Sequence, residues 1–268
     1  MKRAILKTTL ISALVAFAAT NYAHAGAIHD SAQFTTNFPG NDDGYVGPVA
    51  MGMNINFFGQ NFNKLYVNNN GNVTFNSGDG VFTPSAITGT SQPRLAPFFA
   101  DVDTRSGNTT KYGTGVIGGH NVFGVNWIDV GYFSQHTNKL NSFQLIVTDR
   151  SDIGAGDFDF EFNYDKIQWE TGDANSGSDG LGGTSAVAAW SNGAGTFYQF
   201  PGSLVNGALL NGGANELKGG SHNSTIPGQY IFNVRSGQVV SAVPEPASLA
   251  LLGIGFAGLA VMRRRMVK

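Results

Sequence analysis

The plainest pattern in the chain is the alternation across residues 158–164. Phe158, Phe160, Phe162 and Tyr164 fall on one side of an extended segment and Asp159, Glu161 and Asn163 on the other. That period of two predicts a strand with one face buried and the other wet. Residues 142–148 alternate almost as well, and the link 151–156 has turn composition, so the two segments are expected to pair as an antiparallel hairpin. A second hairpin is expected over residues 65–75, with Asn70-Gly71 between two β-prone runs in a type I′ turn. Further strands are expected at 52–58, 115–117, 122–133, 185–190, 196–200 and 230–234, and no amphipathic helix stands out between residues 26 and 243. Many short strands at this spacing predict an all-β domain, an antiparallel sandwich or barrel-like unit. Two polar, Gly-rich stretches, 172–183 and 206–224, read as loops, where function on a β scaffold is often carried.

Composition agrees with this pattern. The chain has 37 Gly and 20 Phe in 268 residues and no Cys, so packing and backbone hydrogen bonds must hold it together without disulfides.

The two ends break the pattern. Lys2, Arg3 and Lys7 precede the apolar run 10–19, and Ala23-His24-Ala25 offers small residues on either side of His24, which reads as a secretory signal peptide over 1–25, cut before Gly26. The other end carries Val243-Pro244-Glu245-Pro246, an apolar run over 247–262 and the basic end 263–268 with Arg263, Arg264 and Arg265. Sixteen residues as a helix reach roughly 24 Å against a hydrocarbon core of about 30 Å, short for a lasting anchor. The prolines hold the preceding chain extended, and the arginines are expected on the cytoplasmic side. A domain over 26–240 is thus bracketed by a leader and a tail of residues 241–268. Between Gly26 and Val243 nine basic residues face seventeen acidic ones, a net charge near minus eight. Such a surface disfavours nucleic acid and anionic lipid and tolerates cations or neutral sugars.

Candidate chemistry is sparse. Gly253, Gly255 and Gly258 fit G-x-G-x-x-G, but no acidic residue can follow about twenty positions later, so small residues in a membrane helix explain them. His29, His120, His136 and His222 lack metal-ligand spacing, no G-x-S-x-G elbow occurs and there is no thiol, so the chain is read as non-enzymatic, with no catalytic residue assigned. Asp101 and Asp103, and again Asp157, Asp159 and Glu161, place carboxylates about 7 Å apart on a strand face. A solvated face is the ordinary reading and Ca²⁺ the sharper one. If Asp101 and Asp103 are buried after Phe98-Phe99, they need an Arg such as Arg94 or Arg105, backbone donors or a cation. Trp127, Trp169, Trp190, Tyr198 and Phe200 could stack on sugar rings, although core packing is the commoner fate within strands. Sequons at Asn72, Asn108 and Asn223 read as a by-product of abundant Asn.

Several blocks, in order, carry a resemblance: NNGNVTF from Asn69, LAPFFADVDT from Leu95, VNWIDVGY from Val125, NSFQL from Asn141, FNYDKIQW from Phe162 and AAWSNGAGTFYQFPGS from Ala188. They resemble the nidogen-like extracellular domain. The resemblance implies an extracellular β-rich module associated with matrix and cell adhesion, without catalytic residues to carry over. The tail is similar to the PEP-CTERM sorting signal of Gram-negative bacteria, which implies an exosortase in the inner membrane as a processing partner, after signal peptidase at the other end. Together they imply a secreted surface or matrix protein that engages extracellular polysaccharide or a cell-surface protein, as in a biofilm, with only transient residence in the inner membrane. A specific glycan-binding module is the rival reading, and a polysaccharide-modifying enzyme a more distant one.

Overall fold

The computed structural model describes residues 26–240. The leader, with Ala23 and Ala25, and the tail, with the Pro-Glu-Pro motif and the three arginines, lie outside the described residues. In chain order the strands are β1 (Thr36–Asn37), β2 (Tyr45–Phe57), β3 (Gln60–Asn68), β4 (Asn72–Thr74), β5 (Pro93–Phe99), β6 (Val102–Asp103), β7 (Lys111–Ile117), β8 (His120–Tyr132), β9 (His136–Asp149), β10 (Phe158–Lys166), β11 (Val187–Asn192), β12 (Phe197–Gln199), β13 (Gln229–Arg235) and β14 (Gln238–Val240). Three single 3₁₀ turns are the only helical elements among the described residues, and no helix there is long and apolar enough to cross a membrane.

The strands form two antiparallel sheets. One runs β1-β7-β8-β9-β10-β13-β14 with β6 added beside β8, and the other runs β12-β11-β5-β4-β3-β2. Their inner faces meet in an aromatic core. Phe57 of the second sheet lies 5.9 Å from Phe158 and 6.4 Å from Phe160 of the first, while Phe160 stacks on Phe232 at 4.9 Å and meets Trp190 edge-on. This is the all-β sandwich that the alternation predicts, and the 142–148 and 158–164 segments pair as expected, Phe160 opposite Val147 and Phe162 opposite Leu145.

Four details differ from expectation. The polar face of β10 is not wet, because the chain start is strapped across it. His29 donates its backbone N–H to Gln144, pairs its ring with Glu161 at 2.8 Å, and is followed by Phe34, which seals a small outer core with Val122 and Ile146. The Asn70-Gly71 turn is not type I′. Asn68 pairs with Asn72 across a three-residue loop in which only Gly71 has positive φ, at 71°. Asn70 is held otherwise, accepting from the Val102 N–H and donating to Asp43, and a Cβ on Gly71 would sit 1.8 Å from the Phe98 carbonyl oxygen. Two-residue turns with positive φ at both positions fall instead at Phe58-Gly59, Gly118-Gly119 and Ser236-Gly237, joining β2 to β3, β7 to β8 and β13 to β14. Finally, β5 lies in the middle of the second sheet, between β4 and β11, with every residue buried. It shows no alternation because both its faces are covered.

Candidate functional site

The chemistry-bearing feature of the sandwich is a set of carboxylates where three turns meet: residues 41–44 before β2, the loop 69–71, and the bend between β5 and β6. Asn69 ties them together. Its side-chain amide donates to the carbonyls of Asn41, Asp42 and Val102, its Oδ1 accepts from Thr104 Oγ1 at 2.9 Å, and its carbonyl accepts from Trp127 Nε1 at 3.0 Å. Thr104 also donates its backbone N–H to the Asn41 carbonyl at 2.8 Å and accepts the Asn41 N–H at its Oγ1 at 3.0 Å. An Asn does this because one short side chain offers two donors and two acceptors, enough to replace the backbone ladder where strands end.

This framework brings Asp42, Asp43 and Asp101 together, with one oxygen from each within 4.8 Å of the others. Asp101 is 1% exposed. Its one neutral donor is Asn175 Nδ2 at 3.2 Å, and a Cβ on Gly172 would fall 2.2 Å from its Oδ2, so the 172–183 loop closes directly over it. Burial first, then repulsion from Asp43, Asp42 and Asp103, pushes the Asp101 carboxyl up to about 7. Asp42 is raised to about 6 by burial and by Asp103 and Asp43, with Arg105 opposing, and its Oδ1 is sealed from solvent without a hydrogen-bond partner. Such an oxygen-only set has the ligand type that hard divalent cations such as Ca²⁺ accept.

Asp103 behaves differently although only two residues away. Burial works against its charge, yet the Arg105 side chain and the backbone N–H groups of Arg105 and Gln135, at 3.0 and 2.8 Å, hold it below the usual carboxylate range. The expected Asp101/Asp103 pair is therefore split: Asp103 takes the arginine, which also reaches Asp42 at 3.0 Å, and Asp101 is grouped with Asp42 and Asp43, which sequence reasoning passed over. Their signal was the Asn41-Asp42-Asp43-Gly44 turn. Arg94 is not available to Asp101, because it is buried against Asp79 and Phe99.

The second carboxylate series is occupied within the protein. Asp159 is paired with Arg150 at 2.8 Å and Arg235 at 2.7 Å, Glu161 with His29, and Asp157 accepts from the Ser236 N–H. The tryptophans are core: Trp127 and Trp169 are fully buried, their indole N–H groups bonded to Asn69 and Val130 carbonyls, and Trp190 is buried between Phe58 and Phe160. Phe200 is buried too, which leaves Tyr198 as the exposed ring among the five aromatics singled out from the sequence. Asn72 of the first sequon is buried, with its side chain bonded to Asn68.

Comparison with known proteins places this geometry. The profile of the nidogen-like domain matches residues 63–116 and 114–236. The chain belongs to the nidogen-like domain family. The matched span carries β3 to β13 and includes Asp101, whereas Asp42 and Asp43 come from the turn before it. The nidogen-like domain is followed by a match to the PEP-CTERM protein-sorting motif over residues 242–265. Over 229 residues the chain is 31% identical to alpha-tectorin of Homo sapiens, covering 75% of this chain and 10% of that protein. It is 26% identical over 232 residues to nidogen of Drosophila melanogaster, covering 74% of this chain and 16% of that protein. The chain thus spans a small part of the curated relatives it matches. No solved structure matches it. A nidogen-like domain with a PEP-CTERM motif points to an exported, cell-surface or extracellular protein.

Proposed function

We propose that this nidogen-like protein is an exported, non-catalytic adhesive component of a bacterial cell surface or extracellular matrix. Signal peptidase would release the chain before Gly26, and exosortase would process it near Val243-Pro244-Glu245-Pro246 while Arg263, Arg264 and Arg265 hold the tail end at the cytoplasmic face. The observation that carries the reading is the pairing, in one chain, of a nidogen-like domain with a sorting motif placed directly after it.

The physical properties of the sandwich support it. Its acidic surface keeps it clear of anionic polymers by charge, its core needs no disulfide, and long loops carry its polar groups to the outside. Removing the gene should reduce attachment of cells to one another or to their matrix, and returning the intact gene should restore it. Unchanged attachment in the deletion strain contradicts the adhesive role.

A further inference from the structure

Besides the acidic turns, the molecule has a cleft along the open seam of the sandwich, where edge strand β12 of one sheet faces β13 of the other and the 201–220 loop folds over. Its volume is about 490 Å³, within the range of roughly 300–1,000 Å³ usual for small-ligand sites. One wall is aromatic. Tyr198 is 37% exposed, and its ring packs against Phe200 at 5.2 Å, Phe232 at 5.7 Å and His222 at 6.4 Å. Tyr230 continues the wall, packed on Phe200 at 4.9 Å with its hydroxyl donating to the Leu217 carbonyl. Burial, then the nearby Tyr198 and Glu216, push the Tyr230 hydroxyl up to about 12, so it stays protonated.

The other wall is polar and closely fitted. Asn215 and Glu216 line it, and Glu216 is fixed by accepting the Gly212 N–H. Two glycines keep the space open. A Cβ on Gly219 would lie 2.1 Å from Glu216 Oε1, and one on Gly220 would lie 2.1 Å from the Tyr230 hydroxyl oxygen.

We infer that this cleft binds a neutral saccharide, with a pyranose ring lying on Tyr198 and its hydroxyls bonded by Glu216 and Asn215. A pyranose has an apolar C–H face and a rim of hydroxyls, which matches one braced aromatic face opposed by acceptor side chains. Charge narrows the class. Glu216 is the one ionic group among the lining residues and the 26–243 segment is near minus eight, so uronates and sulfated sugars are disfavoured and neutral hexose chains are not. The inference rests on the adhesive reading above and names what the protein would adhere to.

The test is calorimetric titration of the full chain, solubilised in a sugar-free detergent, with cellotetraose, laminaritetraose and mannotetraose, and with tetragalacturonate as the anionic control. Saturable binding to at least one neutral tetrasaccharide and none to tetragalacturonate is expected. Tyr198→Ala should weaken it about tenfold. Tyr198→Phe should bind nearly as the parent does. Gly219→Leu, at an exposed position, should block the cleft without touching the core, which keeps the test decisive if Tyr198→Ala folds poorly. No saturable binding to any of the three neutral oligomers, or parental affinity in Gly219→Leu, overturns the assignment. The two readings fail separately: loss of attachment in the deletion strain, together with isolated parent protein that binds none of the three, refutes the saccharide and leaves adhesion standing.

Discussion

Asp159 and Asp101 are both buried carboxylates at strand ends, and their surroundings are opposite. Asp159 has Arg150 on one oxygen, Arg235 on the other, and Asn233 as a further donor at 2.8 Å. Asp101 has two other aspartates and one amide. The first arrangement neutralises its charge locally and serves the fold. The second leaves like charges together under a loop, a state that a protein tolerates only by holding protons or accepting positive charge.

The contrast can be broken most sharply at Asp159. Asp159→Ala leaves two part-buried guanidinium groups facing each other without their carboxylate, and a loss of about 2 kcal/mol is expected in urea unfolding, the usual cost of breaking a buried pair being discounted for the partial exposure of both arginines. Asp101→Asn should do the reverse. It removes a charge that its neighbours oppose and keeps an oxygen for Asn175, so stability at neutral pH should rise, on the order of 1 kcal/mol. A loss at Asp101 comparable to that at Asp159 would erase the distinction.

Acid titration sharpens the same comparison. Asp101 and Asp42 have folded values of about 7 and about 6, above the ordinary 3.8, so between those limits the folded state holds protons that the unfolded chain has released. Their contribution to stability is full below about 3.8 and is lost as pH rises through about 6 to 7. The melting temperature should therefore increase on acidification from pH about 7.5 to about 5, and the increase should shrink in Asp101→Asn. Asp103, depressed by Arg105, works the other way and only at lower pH. The smallest effect is expected from added Ca²⁺ measured against chelator at neutral pH. An ion seated on the three oxygens would raise the melting temperature of the parent and flatten its acid response, while Asp101→Asn should show neither change.

Much of this architecture could be read from residue order, and the exceptions have physical causes. β9 and β10 were legible because apolar and polar side chains alternate along each, with the apolar set, such as Leu145, Val147, Phe160 and Phe162, in the core. β5 was not, because Pro93 and Pro97 and two covered faces leave a strand without the pattern that marks one. The turn type at Asn70-Gly71 was misread because Asn70 has work elsewhere: its two polar atoms bond Val102 and Asp43, which fixes its backbone outside the left-handed region. The acidic site was half legible. Asp101 stood out after Phe98-Phe99, but its grouping with Asp42 and Asp43 depends on Asn69 drawing a turn some sixty residues upstream against the bend, and no local pattern announces that. Tyr198 and the 206–224 loop were each visible as candidates, and only the approach of β12 to β13 of the other sheet joins them in one cleft.

Delivery of the folded sandwich to the outside of the cell is what the proposed function stands on. The most direct measurement is mass spectrometry of the protein recovered from each cell compartment, for the parent and for a chain lacking residues 244–268. The parent should be found at the surface or in the matrix, beginning at Gly26 and ending near Pro244, and the truncated chain should fail to reach that location. Recovery of the parent from the cytoplasm with Met1 and Lys268 both present would contradict it.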